Sequence, residues 1–244
     1  IQHNNGIILI SGPTGSGKST TLYASLKALN EPTRNIITIE DPIEYTLEGI
    51  NQVQLKENIG LTFSKALKTF MRQDPDVIML GEIRDAETAN MAIRAALTGH
   101  LVFSTIHTNS AVGIISRLKD MGVPSFLLAS TLRMSIAQRL VGLLCTHCKE
   151  KRTFNPQDFP PSYKPLKTID SIFESKGCKH CSFSGVSGRQ AIFEILTVNA
   201  EITNQIKNNA EIDQNYKKLS EFVFGLLEAG QISITEAYPY LLNK

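Results

Sequence analysis

The sequence has no apolar run approaching the roughly 20 residues that cross a bilayer, and the stretch from Ile1 has no signal-peptide pattern. The chain is therefore expected to be soluble, and any membrane role to come through partners. A strong charge of either sign is also lacking: 25 Lys and Arg against 23 Asp and Glu leave a formal charge of +2. That balance provides no long-range field for a dedicated nucleic-acid binder. Aromatics are 7% and form no interleaved cluster, internal repeats and low-complexity tracts are absent, and there are only 4 cysteines. Against these absences stand 244 residues with 42% hydrophobic content. This is enough for one large globular domain or a core with a small appendage.

From residue 7 to about 140 short apolar runs alternate with longer helical ones. Strands are expected at 7–11, 35–40, 77–80 and 101–105, and helices at 19–30, 64–73, 86–97 and 111–120. Such alternation implies a mainly parallel sheet covered by helices on both faces. The character changes near Cys145, where Pro156, Pro160, Pro161 and Pro165 mark a loop-rich stretch bracketed by two cysteine pairs. Helical patterning returns over 213–244, with Leu219, Phe222, Val223, Leu226 and Leu227 forming an apolar stripe. The first apolar run sits almost at the start of the chain, so the beginning is expected to be an excised domain boundary.

The most specific signal is GPTGSGKS at 12–19, between an apolar strand and a helical run. It fits the phosphate-loop pattern in the context that pattern requires. Gly12, Thr14, Gly15, Ser16, Gly17 and Thr20 form or flank a turn whose amides face a phosphate. Lys18 would reach the β and γ phosphates, and the Ser19 hydroxyl would serve Mg²⁺. Hydrolysis further needs carboxylates at strand ends beside this loop. One candidate is Glu82, closing the apolar run 77–80 with Gly81 in the position where many phosphate-loop enzymes carry Asp. Asp85 and Glu87 fit the first turn of the following helix, where acids suit the dipole. The other candidate is the Glu40-Asp41-Pro42-Ile43-Glu44 cluster. Pro42 bends the chain there, so Glu40 and Glu44 either point into a site or form a solvated acidic loop.

Cys145-x-x-Cys148 and Cys178-x-x-Cys181 use every cysteine in two tight pairs, the spacing of a four-thiolate Zn²⁺ site. Disulfide or redox pairs and a metal-free site are the alternatives; a nucleotide-dependent enzyme without an export signal favours free thiols. Four thiolates close the metal's shell, leaving His147 and His180 as bystanders and giving zinc a stapling role.

The motifs GPTGSGKST at 12–20, ITIEDPIEY at 37–45, RQDPDVIMLGEIRD at 72–85 and GHLVFSTIHTNSA at 99–111, in that order, resemble those of the secretion ATPase superfamily. Its members drive type II secretion and type IV pilus assembly. The likeness extends to LCxxC at 144–148 and GCxxC at 177–181 followed by Gly188-Arg189. Retraction motors generally lack these cysteines, so the resemblance points to the secretion or pilus-extension branch. It implies a RecA-like P-loop NTPase fold: an ATPase core at 1–140, a zinc-binding subdomain at 141–190 and a helical C-terminal segment at 191–244. It also implies that Lys18 and Ser19 bind ATP and Mg²⁺, Glu44 polarises the attacking water, Glu82 supports the metal and His107 senses the γ-phosphate, with His100 structural. Arg72 either reaches a neighbouring subunit's nucleotide or pairs with Asp74 or Asp76. Val186 stands where the family often has an aromatic, which leaves the metal site intact and alters local packing.

Implied partners are copies of itself in a ring, six by family expectation, and an inner-membrane platform protein, with a cytoplasmic location and no direct nucleic acid. In the family a preceding domain supplies arginines toward the γ-phosphate, so this stretch by itself is expected to hydrolyse ATP slowly. The competing reading is a nucleic-acid motor or zinc-bearing nucleic-acid-binding module; neutral charge and sparse aromatics weigh against it. A P-loop kinase lacks an evident lid or acceptor pocket.

Overall fold

The structure, a computed structural model, describes residues 3–165, 167–212 and 216–242. In chain order its elements are β1 (Gly6–Ser11), α1 (Lys18–Leu29), β2 (Ile36–Glu40), β3 (Asn51–Gln54), α2 (Phe63–Phe70), β4 (Val77–Leu80), α3 (Ala86–Leu97), β5 (Leu101–Ile106), α4 (Ala111–Asp120), α5 (Ser125–Thr131) and β6 (Leu132–Leu144). They continue with β7 (Lys149–Thr153), β8 (Ser171–Ser175), β9 (Val186–Thr197), α6 (Ala200–Lys207), α7 (Leu219–Glu228) and α8 (Ile234–Leu241). The described residues form two compact units, one from 1–137 with 195–216 and the other from 138–194 with 217–244. Residues 191–244, grouped as one segment from the sequence, are thus divided, α6 lying in the first unit and α7 and α8 in the second.

Seven strands are ordered β3-β2-β4-β5-β1-β6-β9. The pairs β3/β2, β2/β4, β4/β5, β5/β1 and β1/β6 are all parallel. The apolar runs of β1, β2, β4 and β5 are buried at every residue, as expected for strands covered on both faces. Val102, Ile78, Leu9 and Ile39 belong to one continuous core with Leu67 of α2, Ala92 of α3 and Ile114 of α4.

Helix starts follow from local chemistry. Thr62, Asp85, Ser110, Asn199 and Ser233 cap α2, α3, α4, α6 and α8 by accepting a bond from a first-turn amide. Asp85 therefore has the helix-start position expected for it. Glu87 lies in the first turn of α3, accepts from Ser64 Oγ (2.6 Å) and pairs with Lys68 (3.3 Å). The helix expected over 64–73 stops at Phe70, before the positive φ of 49° at Asp74 and the following Pro75.

Five strands escaped the sequence reading, β7 and β8 among them, within the stretch read as loop-rich. The β3 segment NQVQ is short and polar. The β6 segment has four Leu and two Arg, which favour helix in isolation; pairing of its first half with the buried β1 overrides that preference. β9 follows directly on the second cysteine pair, within what reads as a loop-rich stretch.

The second unit has its own core. Val141 of β6, Ile172 of β8 and Ile192 of β9 pack with Val223 and Leu227 of α7 and with Ala237 and Leu241 of α8. The antiparallel β7/β8 pair is braced by Arg152, which binds Asp158 through both nitrogens (2.8 and 3.0 Å) and Glu174 at 2.8 Å. Just past the C-cap Ala229 of α7, Gly230 (φ 63°) donates its N–H to Leu227 O and Gln231 N donates to Leu226 O, a Schellman close. The expected tail start at 213–215 lies outside the described residues.

A Cβ at Gly230 would overlap the Phe173 ring, in a backbone conformation that already disfavours side chains. Gly230→Ala is expected to destabilise the second unit by about 1–3 kcal/mol. Thermal unfolding of the variant would show it, and an unchanged melting temperature would contradict this packing.

Candidate functional site

Parallel strands deliver their carboxyl ends to one edge. Ser11 is level with Ile106, Leu80 with Ser104 and Ile39 with Leu80, so the segments leaving β1, β5, β4 and β2 emerge together. Those segments are the glycine loop, His107, Glu82 and the 41–50 acidic loop. Open parallel sheets bind ligands at this edge.

The glycine loop turns from β1 into α1. Gly17 is the N-cap residue in the left-handed region (φ 84°), with no side-chain cap and no acid in the first turn. This leaves amides and a positive dipole end available to an anion. Gly15 also has positive φ (79°), with open space where a Cβ would be. Thr14, Ser19 and Thr20 are exposed, while Gly12 and Ser16 are buried. Lys18 Nζ donates to the loop's own carbonyls, at 2.9 Å to Gly12 and 3.0 Å to Pro13. A cation folded over a ring of amides suits a polyphosphate, so these residues fit the nucleotide that the motif implies.

Glu82 is the most strongly conditioned acid of this edge. Its side chain is only 15% exposed, it accepts a bond from Arg84, and its other oxygen lies 3.5 Å from His107 Nε2. Burial acts to raise its pKa, but the Arg84 bond and charge, with a smaller share from His107, outweigh burial and hold the carboxyl below its usual value. It is therefore a carboxylate at neutral pH, suited to Mg²⁺. Gly81 packs against the end of β2, where a Cβ would lie 3.4 Å from both Glu40 Cα and Ile39 O, close to ordinary contact distance. Thr105 Oγ1 donates to Gly81 O at 2.7 Å and Ile83 N to Thr105 O at 2.9 Å, tying the Glu82 turn to β5.

In the acidic loop the two glutamates differ. Glu40 is 4% exposed and accepts from Tyr23, from Thr38 Oγ1 (2.6 Å) and from Gln52 Nε2 (3.0 Å). The expectation that it points into an open site is corrected: three internal donors hold it inward. Glu44 is exposed, on the loop after the Asp41–Pro42 bend. Arg72 is exposed beside a cavity of about 390 Å³ lined also by Lys68, Thr69 and Gln73. Among the described residues Arg72 makes no ion pair; Asp76 instead accepts from Asn35 N at 2.8 Å. His100 bonds Ala95 O through Nδ1 (2.9 Å), a structural contact. Arg84 went unremarked in the sequence, although a cation two residues after the strand-end acid was a readable signal.

The four cysteines converge in the second unit, with all four sulfurs within 4.8 Å of one another and no disulfide. The Cys145–Cys178, Cys148–Cys181 and Cys178–Cys181 separations are 3.9, 3.8 and 3.9 Å. Sulfurs bound at about 2.3 Å to one tetrahedral zinc lie about 3.8 Å apart, so the donor set fits Zn²⁺. Cys181 Sγ accepts from Cys178 N (3.2 Å) and Gly185 N (3.3 Å); the first of these is the chief cause that pulls its thiol down to about 6. His147 and His180 stack on each other at 4.1 Å. Val186 is 40% exposed and covers Gly142, where a Cβ would come within 3.0 Å of it.

A mainly parallel α/β sheet with a phosphate loop between β1 and α1 defines a P-loop nucleotide-binding domain, here joined to a tetracysteine unit. The chain belongs to the Type II/IV secretion system protein family, whose profile matches residues 1–241. It is 53% identical over 211 residues to the putative type II secretion system protein E of Escherichia coli K12, covering 86% of this chain and 43% of that protein. It is 48% identical over 210 residues to the type II secretion system ATPase E of Vibrio cholerae, covering 86% of this chain and 42% of that protein. The chain thus spans less than half the length of these relatives. Among solved structures, the pilus retraction motor PilT with bound ADP superposes with a TM-score of 0.71 at 31% identity, over 98% of this chain and 62% of that one. Among the described residues no helix is long and apolar enough to cross a membrane.

Metal analysis of protein purified without chelator is expected to find about one zinc per chain. Cys145→Ser or Cys178→Ser should release it and loosen the second unit while the phosphate loop still binds nucleotide. Metal-free protein with four freely titrating thiols would contradict the zinc assignment.

Proposed function

We propose that this chain is the ATP-hydrolysing motor segment of a secretion ATPase, powering assembly of pilus or pseudopilus subunits in a type II secretion or type IV pilus system. The observation that carries the reading is the meeting, at one sheet edge, of an uncapped phosphate loop with a buried, cation-supported Glu82. In this reading Lys18 exchanges the Gly12 and Pro13 carbonyls for phosphate oxygens, and the amides of residues 14–19 take up further negative charge. Ser19 and Glu82 hold Mg²⁺, which when bound neutralises phosphate charge. Glu44 orients and polarises the attacking water; its exposure at the same edge supports this. His107, beside Glu82 and itself 59% exposed, reports on the γ-phosphate. Arg72 reaches the nucleotide of a neighbouring copy, a reading supported by its exposure and lack of an ion pair among the described residues.

Such an arginine implies a ring-shaped homo-oligomer, six copies by family likeness, docked on an inner-membrane platform protein from the cytoplasmic side. Zinc staples the second unit and takes no part in hydrolysis, since four thiolates leave it no open position.

Glu82→Gln keeps the side chain's shape and removes its charge. Turnover is expected to fall on the order of 10²-fold or more with ATP affinity retained, whereas Lys18→Ala weakens affinity itself. ATPase assays paired with nucleotide titration check both; near-normal turnover in Glu82→Gln would sink the assignment.

The pH profile offers an independent check. Glu82 serves as a carboxylate above its lowered pKa and loses that role as pH falls through it. Arg84→Ala leaves burial unopposed by its largest counterweight, so the acid limb of the ATPase profile should move to higher pH. A limb that stays in place would show that Arg84 does not tune this acid.

A further inference from the structure

Between the phosphate loop and the Glu44 loop lies a connection that neither motif announces. One face of α1, continued by its C-cap Asn30, carries Tyr23 and Lys27, so that the three residues are spaced i, i+4 and i+7, and each touches the loop of residues 41–50. Tyr23 is 1% exposed; its hydroxyl donates to Glu40 and accepts from the Glu44 backbone N–H at 3.3 Å. The Tyr23 ring meets Tyr45 edge-on at 4.7 Å, and Lys27 Nζ lies 5.5 Å from the centre of the Tyr45 ring. Asn30 Nδ2 donates to Glu48 O at 2.8 Å.

From the other side Gln52 of β3 closes the same loop. Its Nε2 donates to Glu40 (3.0 Å) and Tyr45 O (3.3 Å), while its Oε1 accepts from Leu47 N at 2.6 Å. Glu40 is the shared centre. A buried carboxyl with three donors is costly to disturb, so it locks Tyr23 and Gln52 together, and they lock the loop. Tyr23 stands five residues after Lys18 on the same rigid helix.

We propose that Tyr23 is a positioning residue for hydrolysis: seated on Glu40, it fixes the Glu44 backbone to the helix that starts at the phosphate loop, so that bound phosphate and the water-orienting carboxylate share one frame. The proposal rests on the hydrolytic reading of Glu44. Tyr23 touches no substrate and acts only through the loop. The Glu40-Tyr23-Gln52 set thereby gives the buried acid of the cluster a purpose different from its exposed neighbour's.

The test uses Tyr23→Phe, which keeps the ring against Tyr45 and removes the hydroxyl. Hydrogen–deuterium exchange of amides 41 and 43–47 is expected to quicken roughly tenfold, the scale of one lost hydrogen bond. In parallel, kcat for ATP should drop about tenfold or more while KM and the affinity for a fluorescent non-hydrolysable ATP analogue stay within about twofold. Unchanged exchange at 41–47 overturns the proposal. So does wild-type kcat, or faster exchange spread through the whole first unit with weakened analogue binding, the signature of a merely structural role. Should Tyr23→Phe melt early, Tyr23→Phe/Glu40→Gln, which leaves no buried charge short of a donor, carries the same comparison. Failure of the unaltered protein to hydrolyse ATP would count against the hydrolytic reading alone, because the exchange measurement decides the loop connection without turnover.

Discussion

Parallel pairing of β2, β4, β5 and β1 is the constraint on which the site depends. Strands that run the same way must return through helices on the faces, so every chain segment leaving a strand's carboxyl end emerges on one edge. The register keeps those exits level within about a residue. Residues separated by up to 95 positions, from Gly12 to His107, are thereby brought beside one another without a single long loop. Burial on both faces makes the strands a rigid reference for the short turns that carry chemistry.

At that edge electrostatic conditions differ from one segment to the next. The phosphate loop presents uncapped amides and a lysine, with no acid in the first turn of α1. Glu82 sits partly buried against Arg84 and His107, which favour its charged form despite desolvation. Glu40 is enclosed by three donors, whereas Glu44 on the same loop is exposed. Three glutamates of one chemical type thus acquire ion-paired, enclosed and solvent-exposed character from their surroundings alone.

The tetracysteine unit is built on a different principle. Its apolar core is modest, and it gains cohesion from an Arg152 brace, a Schellman-closed helix and four sulfurs at the spacing of a tetrahedral ion. Small units with limited cores commonly rely on such staples. The backbone N–H groups aimed at Cys181 favour its thiolate, the form in which a cysteine binds a metal.

The α/β class, the phosphate loop, the strands β1, β2, β4 and β5 and the cysteine quartet were legible in the residue order, because each rests on local periodicity or fixed short spacing that survives in any fold. The tertiary structure alone decided the rest. β3 and β6 lack strand-like patterns and are strands because buried neighbours complete their hydrogen bonds. Glu40 and Glu44 are equivalent in a string of letters, and only packing under Tyr23 and Gln52 separates them. His107's approach to Glu82, and the contact of Gly81 with the end of β2, depend on distances between segments that the chain order does not encode. Pairing across space, desolvation and steric room are properties of the assembled sheet, and so they became readable only once it was formed.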